Sequence, residues 1–173
     1  MPERAEVAGH RKTFLITYVI ATAACLLWLG GIWLAPYLKS RSSPWSSLVY
    51  AVYSPVCHQV ASRSWFCFGY PLAVCARCTG IYLGFLLGLV CYPLQRGWRR
   101  ISFPSSRNFI LVSAPIVLDT VGNFLKLWHT PNAFRLATGV IWGALLPFYL
   151  IPGVTDLLIG QQKKRLNSPS TCP

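Results

Sequence analysis

Two short runs carry side chains that can bind a soft metal ion or exchange electrons: Cys57-His58 and Cys75-Ala76-Arg77-Cys78. A Cys-x-x-Cys places two sulfurs on one turn, within reach of a single tetrahedral ion, and three Cys with one His form a common closed zinc site. Neighbouring side chains diverge, so Cys57 and His58 share an ion only where the backbone bends; Pro55 just upstream offers the bend. On this reading Cys57, His58, Cys75 and Cys78 hold zinc or another transition metal. Two other readings use the same atoms. Cys75 and Cys78 stand at an expected helix start beside Arg77, where dipole and cation both favour the thiolate. That suits a thiol-disulfide oxidoreductase passing electrons to quinone, with Cys57 or Cys67 in the second thiol pair. The third reading is a disulfide that staples the preceding segment to the helix.

Asp119 is the one acidic residue inside an apolar run. A charge at mid-membrane costs about 2.5–3.5 kcal/mol on insertion scales, so it normally has a partner and a role. Arg77 and Arg135 each begin an apolar stretch, and either can pair with it. Asp119 is then a general base, a metal anchor or the pin of the bundle, with Arg77 or Arg135 as an anion clamp. Thr138 extends the polar run Asn132-x-x-Arg135, whose Asn132 can cap a helix. His129 lies in the short connection before it and reads as an ordinary solvated imidazole. Cys25 and Cys91 read as small core residues.

Positioning these groups requires helices that cross lipid. Hydrophobic residues make up 54% of the 173 and charged residues 12%, about half the charged share of a soluble domain. Four apolar stretches fit the length of about 20 residues, within a range of roughly 17 to 25, that a spanning helix needs. The expected fold is all-α, a polytopic membrane bundle of four transmembrane helices over about 13–37, 78–95, 108–127 and 135–155. An outer loop, 38–77, carries the Cys/His motif and a short helix over Trp45 to Tyr53, lying in the membrane interface between Ser43-Pro44 and Ser54-Pro55. Residues 1–12 form a cytoplasmic N-terminus, and 159–173 a disordered basic tail. The first stretch is too long for a signal-peptide core and ends in Leu34-Ala35-Pro36, a poor cleavage site, so it reads as a retained span.

The net charge of +12 would suggest nucleic acid in a soluble chain; here it reads as topology. Arg4, Arg11, Lys12, Arg96, Arg99, Arg100, Arg107, Lys163, Lys164 and Arg165 share one side. The opposite side holds Lys39, Arg41, Arg63, Arg77, Lys126 and Arg135. The positive-inside rule puts both termini in the cytoplasm and the protein in the inner or plasma membrane. The cysteine loop then faces an oxidising exterior, where disulfides are permitted. The expected partner is the lipid bilayer, with a lipid or quinone as candidate substrate and no nucleic acid.

Gly80, Gly84 and Gly88 recur at four-residue spacing, as do Gly139 and Gly143. Small residues at this interval let two backbones touch, which predicts tight contact between the second and fourth spans. No internal repeat stands out. Neither a phosphate-binding glycine loop nor a hydrolase or nucleotide fingerprint is present.

Cys57-His58-Gln59, Arg63-Ser64 and Cys75-Ala76-Arg77-Cys78-Thr79-Gly80-Ile81-Tyr82-x-Gly84 together resemble a family of small prokaryotic membrane proteins catalogued as a domain of unknown function, with the signature CHQ…CxRCxGIYxG. Asp119 and the run Asn132, Arg135, Thr138, Gly139 resemble its second half, so the likeness covers about 45–145. Trp65 follows Arg63-Ser64 where another aromatic is usual, and Thr120 follows Asp119 where a glycine is expected. The resemblance implies a multi-span membrane protein with this polar cluster, and no particular activity. Three functions remain open: a metal site acting on a lipid-borne substrate, a dithiol oxidoreductase, and a non-enzymatic metal transporter or assembly factor.

Overall fold

The computed structural model describes residues 2–96 and 106–167. Five helices follow in order: α1 (Pro2–Ser40), α2 (Trp45–Tyr53), α3 (Ala76–Arg96), α4 (Ser106–Phe124) and α5 (Asn132–Asn167). A 3-10 turn, Ala61–Arg63, and a short antiparallel ladder, β1 (Phe66–Cys67) with β2 (Tyr70–Pro71), lie between α2 and α3. Phe68 and Gly69, at φ 53° and 81°, make its two-residue turn, the left-handed geometry that suits the twist of paired strands.

Three helices are long and apolar enough to cross a membrane: Lys12–Ser40, Ala76–Pro93 and Asn132–Gln161. The fourth expected span is shorter. Its apolar part, Phe109–Phe124, reaches only about 24 Å at 1.5 Å per residue, against a hydrocarbon core of about 30 Å. α4 stops early because Lys126 turns left-handed at φ 58° and Leu127 N–H closes back onto the Gly122 carbonyl at 2.9 Å, a Schellman ending. The tail expected to be disordered from residue 159 instead stays helical to Asn167. Residues 97–105, with two of the basic residues assigned to the cytoplasmic side, and residues 168–173, with Cys172, lie outside the described residues.

α3 and α5 run parallel, and their contact is the most extensive in the molecule. A Cβ on Gly80, Gly84 or Gly88 would collide with the carbonyl oxygen of Leu136, Val140 or Ala144; one on Gly139 or Gly143 would collide with that of Arg77 or Ile81. Backbone thus rests on backbone along the whole seam, as the glycine spacing predicted. The structure also sets Thr79-Gly80-Ile81-Tyr82-Leu83-Gly84 alongside Thr138-Gly139-Val140-Ile141-Trp142-Gly143, a short internal likeness that the sequence reading passed over. α1 closes the bundle. Tyr18 donates to the Leu89 carbonyl at 2.9 Å, and Phe14, Tyr92 and Phe148 join α1, α3 and α5 with ring centroids 5.7 and 5.3 Å apart. α4 is tied to α5 by Trp142, which donates to the Ser113 hydroxyl at 2.9 Å.

α2 occupies the stretch expected of the interfacial helix. Tyr53 anchors it: its hydroxyl donates to the Trp28 carbonyl at 2.6 Å and fits against Gly31, where a Cβ would strike it. Trp45, Leu48 and Val52 remain exposed on its other side.

Candidate metal centre and the polar network beside it

Cys57 follows the last turn of α2, its N–H bonded to the Tyr53 carbonyl at 3.0 Å. The chain then reverses at Gln59, φ 52°. The Gln59 amide donates to the carbonyls of Tyr50 at 2.7 Å and Ala73 at 2.9 Å, clamping the end of α2 to the strand that enters α3. Sequence reasoning gave Gln59 no role, yet it fixes the distance between the two motifs. Ala73 and Val74 are fully buried, so the approach to Cys75 is rigid on both sides.

The sulfurs of Cys57, Cys75 and Cys78 lie within 4.8 Å of one another. The Cys75 N–H, one residue before α3, donates to the Cys57 sulfur at 3.2 Å. Hydrogen bonds from Cys57 and Cys78, then backbone N–H groups of Cys78 and Arg77, hold the Cys75 thiol below its ordinary pKa. Sulfurs on a tetrahedral zinc with Zn–S of about 2.3 Å stand about 3.8 Å apart, so the three fit such an ion with a small contraction. His58 is not in the group: it is exposed, because the turn that carries the Cys57 side chain inward carries its neighbour outward. Among the described residues Cys25, Cys57, Cys67, Cys75, Cys78 and Cys91 are free thiols.

Arg77 lies between Cys75 and Cys78 in sequence and faces the other way. Its guanidinium pairs with Asp119 and donates to the Thr120 hydroxyl at 2.8 Å. Asp119, only 6% exposed, also accepts from the Thr130 hydroxyl, from Asn123 at 3.0 Å and from the Trp128 indole at 3.4 Å. Arg135 does not pair with Asp119. It is equally buried and donates to the Thr130 carbonyl at 3.0 Å and the Asn123 side-chain oxygen at 2.6 Å. Asn123 therefore bridges Asp119 to Arg135. Thr120 stands where a glycine was expected after the Asp; Gly122, two residues on, has no Cβ and so leaves room for the Trp128 ring.

Of the residues predicted for the site, Cys57, Cys75 and Cys78 converge, and Arg77, Asp119 and Arg135 meet in the adjoining network. Thr138 joins neither: its hydroxyl donates to carbonyls of its own helix, Phe134 at 3.0 Å and Arg135 at 3.1 Å. Asn132 donates to the Ser64 carbonyl at 3.5 Å, linking the start of α5 to the cysteine loop. Sequence reasoning missed Asn123, Thr130 and Trp128; Asn123, a polar residue four positions after Asp119 on one helical face, carried the only signal. His129 lines a cavity of about 420 Å³ with Asp119, Trp128, Thr130, Leu118 and Phe134. Pro115, inside α4, forms part of its wall.

Residues 57–149 match the family model described as predicted membrane protein (DUF2085). The chain is 38% identical over 141 residues to the protein described as uncharacterized protein MJ1492 from Methanocaldococcus jannaschii, covering 78% of this chain and 90% of that one. No solved structure matches. The chain therefore belongs to the DUF2085 family of predicted membrane proteins, and both the thiol cluster and the Asp119 network fall within the matched region.

Proposed function

We propose that this protein is a four-span inner- or plasma-membrane protein whose outer-leaflet thiol centre binds a transition metal, zinc first, and works there on a lipid-borne substrate. Both termini are cytoplasmic in this reading, α4 supplies the fourth span, and α2 lies in the outer interface with its exposed Trp45, Leu48 and Val52 toward lipid. The observation that carries it is the convergence of three sulfurs from two separated segments at the mouth of a membrane-length helix. A core of free thiols needs no such approach. Three protein ligands leave a fourth position on a tetrahedral ion, the arrangement of catalytic rather than closed structural zinc sites.

Cys57, Cys75 and Cys78 hold the ion in this reading, and a bound zinc supplies Lewis-acid polarisation of an oxygen at the remaining position. Gln59 fixes the spacing of the ligand-bearing segments. Arg77 presents positive charge beside the centre, and Asp119 holds Arg77 in place. Asp119 acts as a base only after one of its donors leaves, so its first role is positioning. Elemental analysis of the purified chain tests the proposal. About one metal per chain is expected, falling below a tenth in Cys75→Ser. Sub-stoichiometric metal unchanged by that substitution would end it.

The same proximity favours a second reading, a dithiol centre reducing quinone, since Cys75 and Cys78 have Cys57 within exchange reach. Thiol trapping before and after reductant separates the two; thiols that never change state exclude the redox cycle.

A further inference from the structure

Arg77 occupies the first turn of α3 and Arg135 the first turn of α5. Neither first turn carries an acidic residue. Cations at helix N-termini oppose the helix dipole, so both are placed where their own helices repel them. The parallel α3–α5 seam sets these two positive ends side by side. Arg63 joins them from the cysteine loop, where Asn132 of α5 bonds the carbonyl of the next residue, Ser64. The Arg77 carbonyl lies against Gly139 of α5, and the Asn132 bond ties the loop that carries Arg63 to the same helix end.

Among the described residues Asp119 is the only carboxylate in contact with this group. It is already paired to Arg77. Arg135, 6% exposed, makes no ion pair among the described residues and rests on neutral acceptors. Asn123 relays it to Asp119 without a direct contact, and a buried charge with no direct counter-charge is unfavourable. A divalent ion on three thiolates would contribute one negative charge. Three guanidiniums then face two negative charges, and the end of the bundle is left one negative charge short.

We infer that the Arg63–Arg77–Arg135 face binds a phosphate-type oxyanion, the headgroup of an anionic lipid or the equivalent free phosphate ester. Guanidinium forks match phosphate geometry, and paired helix N-termini favour the same charge. Arg63 is exposed and Arg77 partly so, giving the ligand access, while Arg135 backs them from beneath. The lipid source is favoured by the cavity beside Asp119, where Pro115, Leu118 and Phe134 give an apolar wall next to the polar network. The inference deepens the lipid-substrate reading and rests on it for the charge count.

The test uses the full chain in phosphatidylcholine nanodiscs. One arm titrates inorganic phosphate and follows 31P line broadening; the other dopes the discs with phosphatidylglycerol and measures its retention by native mass spectrometry. Arg63→Gln, at an exposed turn that leaves the helical bundle intact, is expected to weaken binding at least tenfold in the arm that responds. Lys39→Gln, an exposed basic change outside the proposed site, is expected to change it less than twofold. Response in the lipid arm identifies a headgroup, and response in the phosphate arm alone identifies a soluble ester. Equal losses in Arg63→Gln and Lys39→Gln, or no binding in either arm, overturn the inference. Metal content is read on the same samples. Retained metal without anion binding leaves the thiol centre standing, whereas anion binding without metal removes the centre and keeps the oxyanion site.

Discussion

The thiol cluster and the Asp119 network share one end of the bundle and are joined through Arg77, yet they are furnished in opposite ways. Asp119 is surrounded by donors from α3, α4 and the loop before α5, with Asn123 extending the chain of bonds to Arg135. Its oxygens are spoken for by partners from three parts of the fold. The three sulfurs point at one another, and their other partners are backbone N–H groups at the entrance to α3. Sulfur is a weak hydrogen-bond partner, so this convergence gains little by itself. The difference separates a group whose bonds hold the fold from a group whose sulfurs could hold an ion.

The sharpest way to break that contrast is Cys75→Ser. It is expected to empty the metal centre, a more than tenfold loss by elemental analysis, while Asp119→Asn leaves metal content within twofold. Equal loss in both would mean that the two regions form one unit. Next comes stability. Asp119→Asn leaves the half-buried Arg77 without its counter-charge and should cost about 2 kcal/mol in detergent unfolding. Adding Arg77→Met to the same chain should recover part of that, because the orphaned guanidinium is the source of the cost. Gly139→Val pushes on the Arg77 carbonyl at the seam between the two regions and should cost about 2 kcal/mol by overpacking. Thr130→Val removes one donor to the carboxylate, about 1 kcal/mol. Smallest of all, Thr138→Val should change stability by less than about 0.5 kcal/mol, and His58→Ala should leave metal stoichiometry unchanged.

Much of this was legible in the residues. Glycine spacing announced the α3–α5 contact because it reports a local steric fact, the absence of a Cβ on one face. Ser43-Pro44 and Ser54-Pro55 bracketed α2 for an equally local reason, since proline restricts the backbone around it. The convergence of Cys57 with Cys75 and Cys78 followed from Cys-x-x-Cys chemistry plus a loop short enough to return. His58 was misplaced because adjacency in sequence says nothing about which of two neighbours a left-handed turn at Gln59 sends inward. The pairing of Asp119 with Arg77 rather than Arg135 depended on the register between α3 and α4, which no single helix encodes. The length of α4 was overestimated because apolar composition continues through Leu125 and Leu127, beyond the point where Lys126 turns the backbone.

The likeness between the two faces of the α3–α5 seam has a consequence for how the chain is made. α3 leaves the ribosome well before α5, so its glycine stripe must wait in lipid uncovered. Another copy of α3 offers nearly the same surface, which makes head-to-head association of two nascent chains the natural competitor of correct closure. Crowded synthesis should therefore favour dimers paired through α3, and a faster arrival of α5 should suppress them.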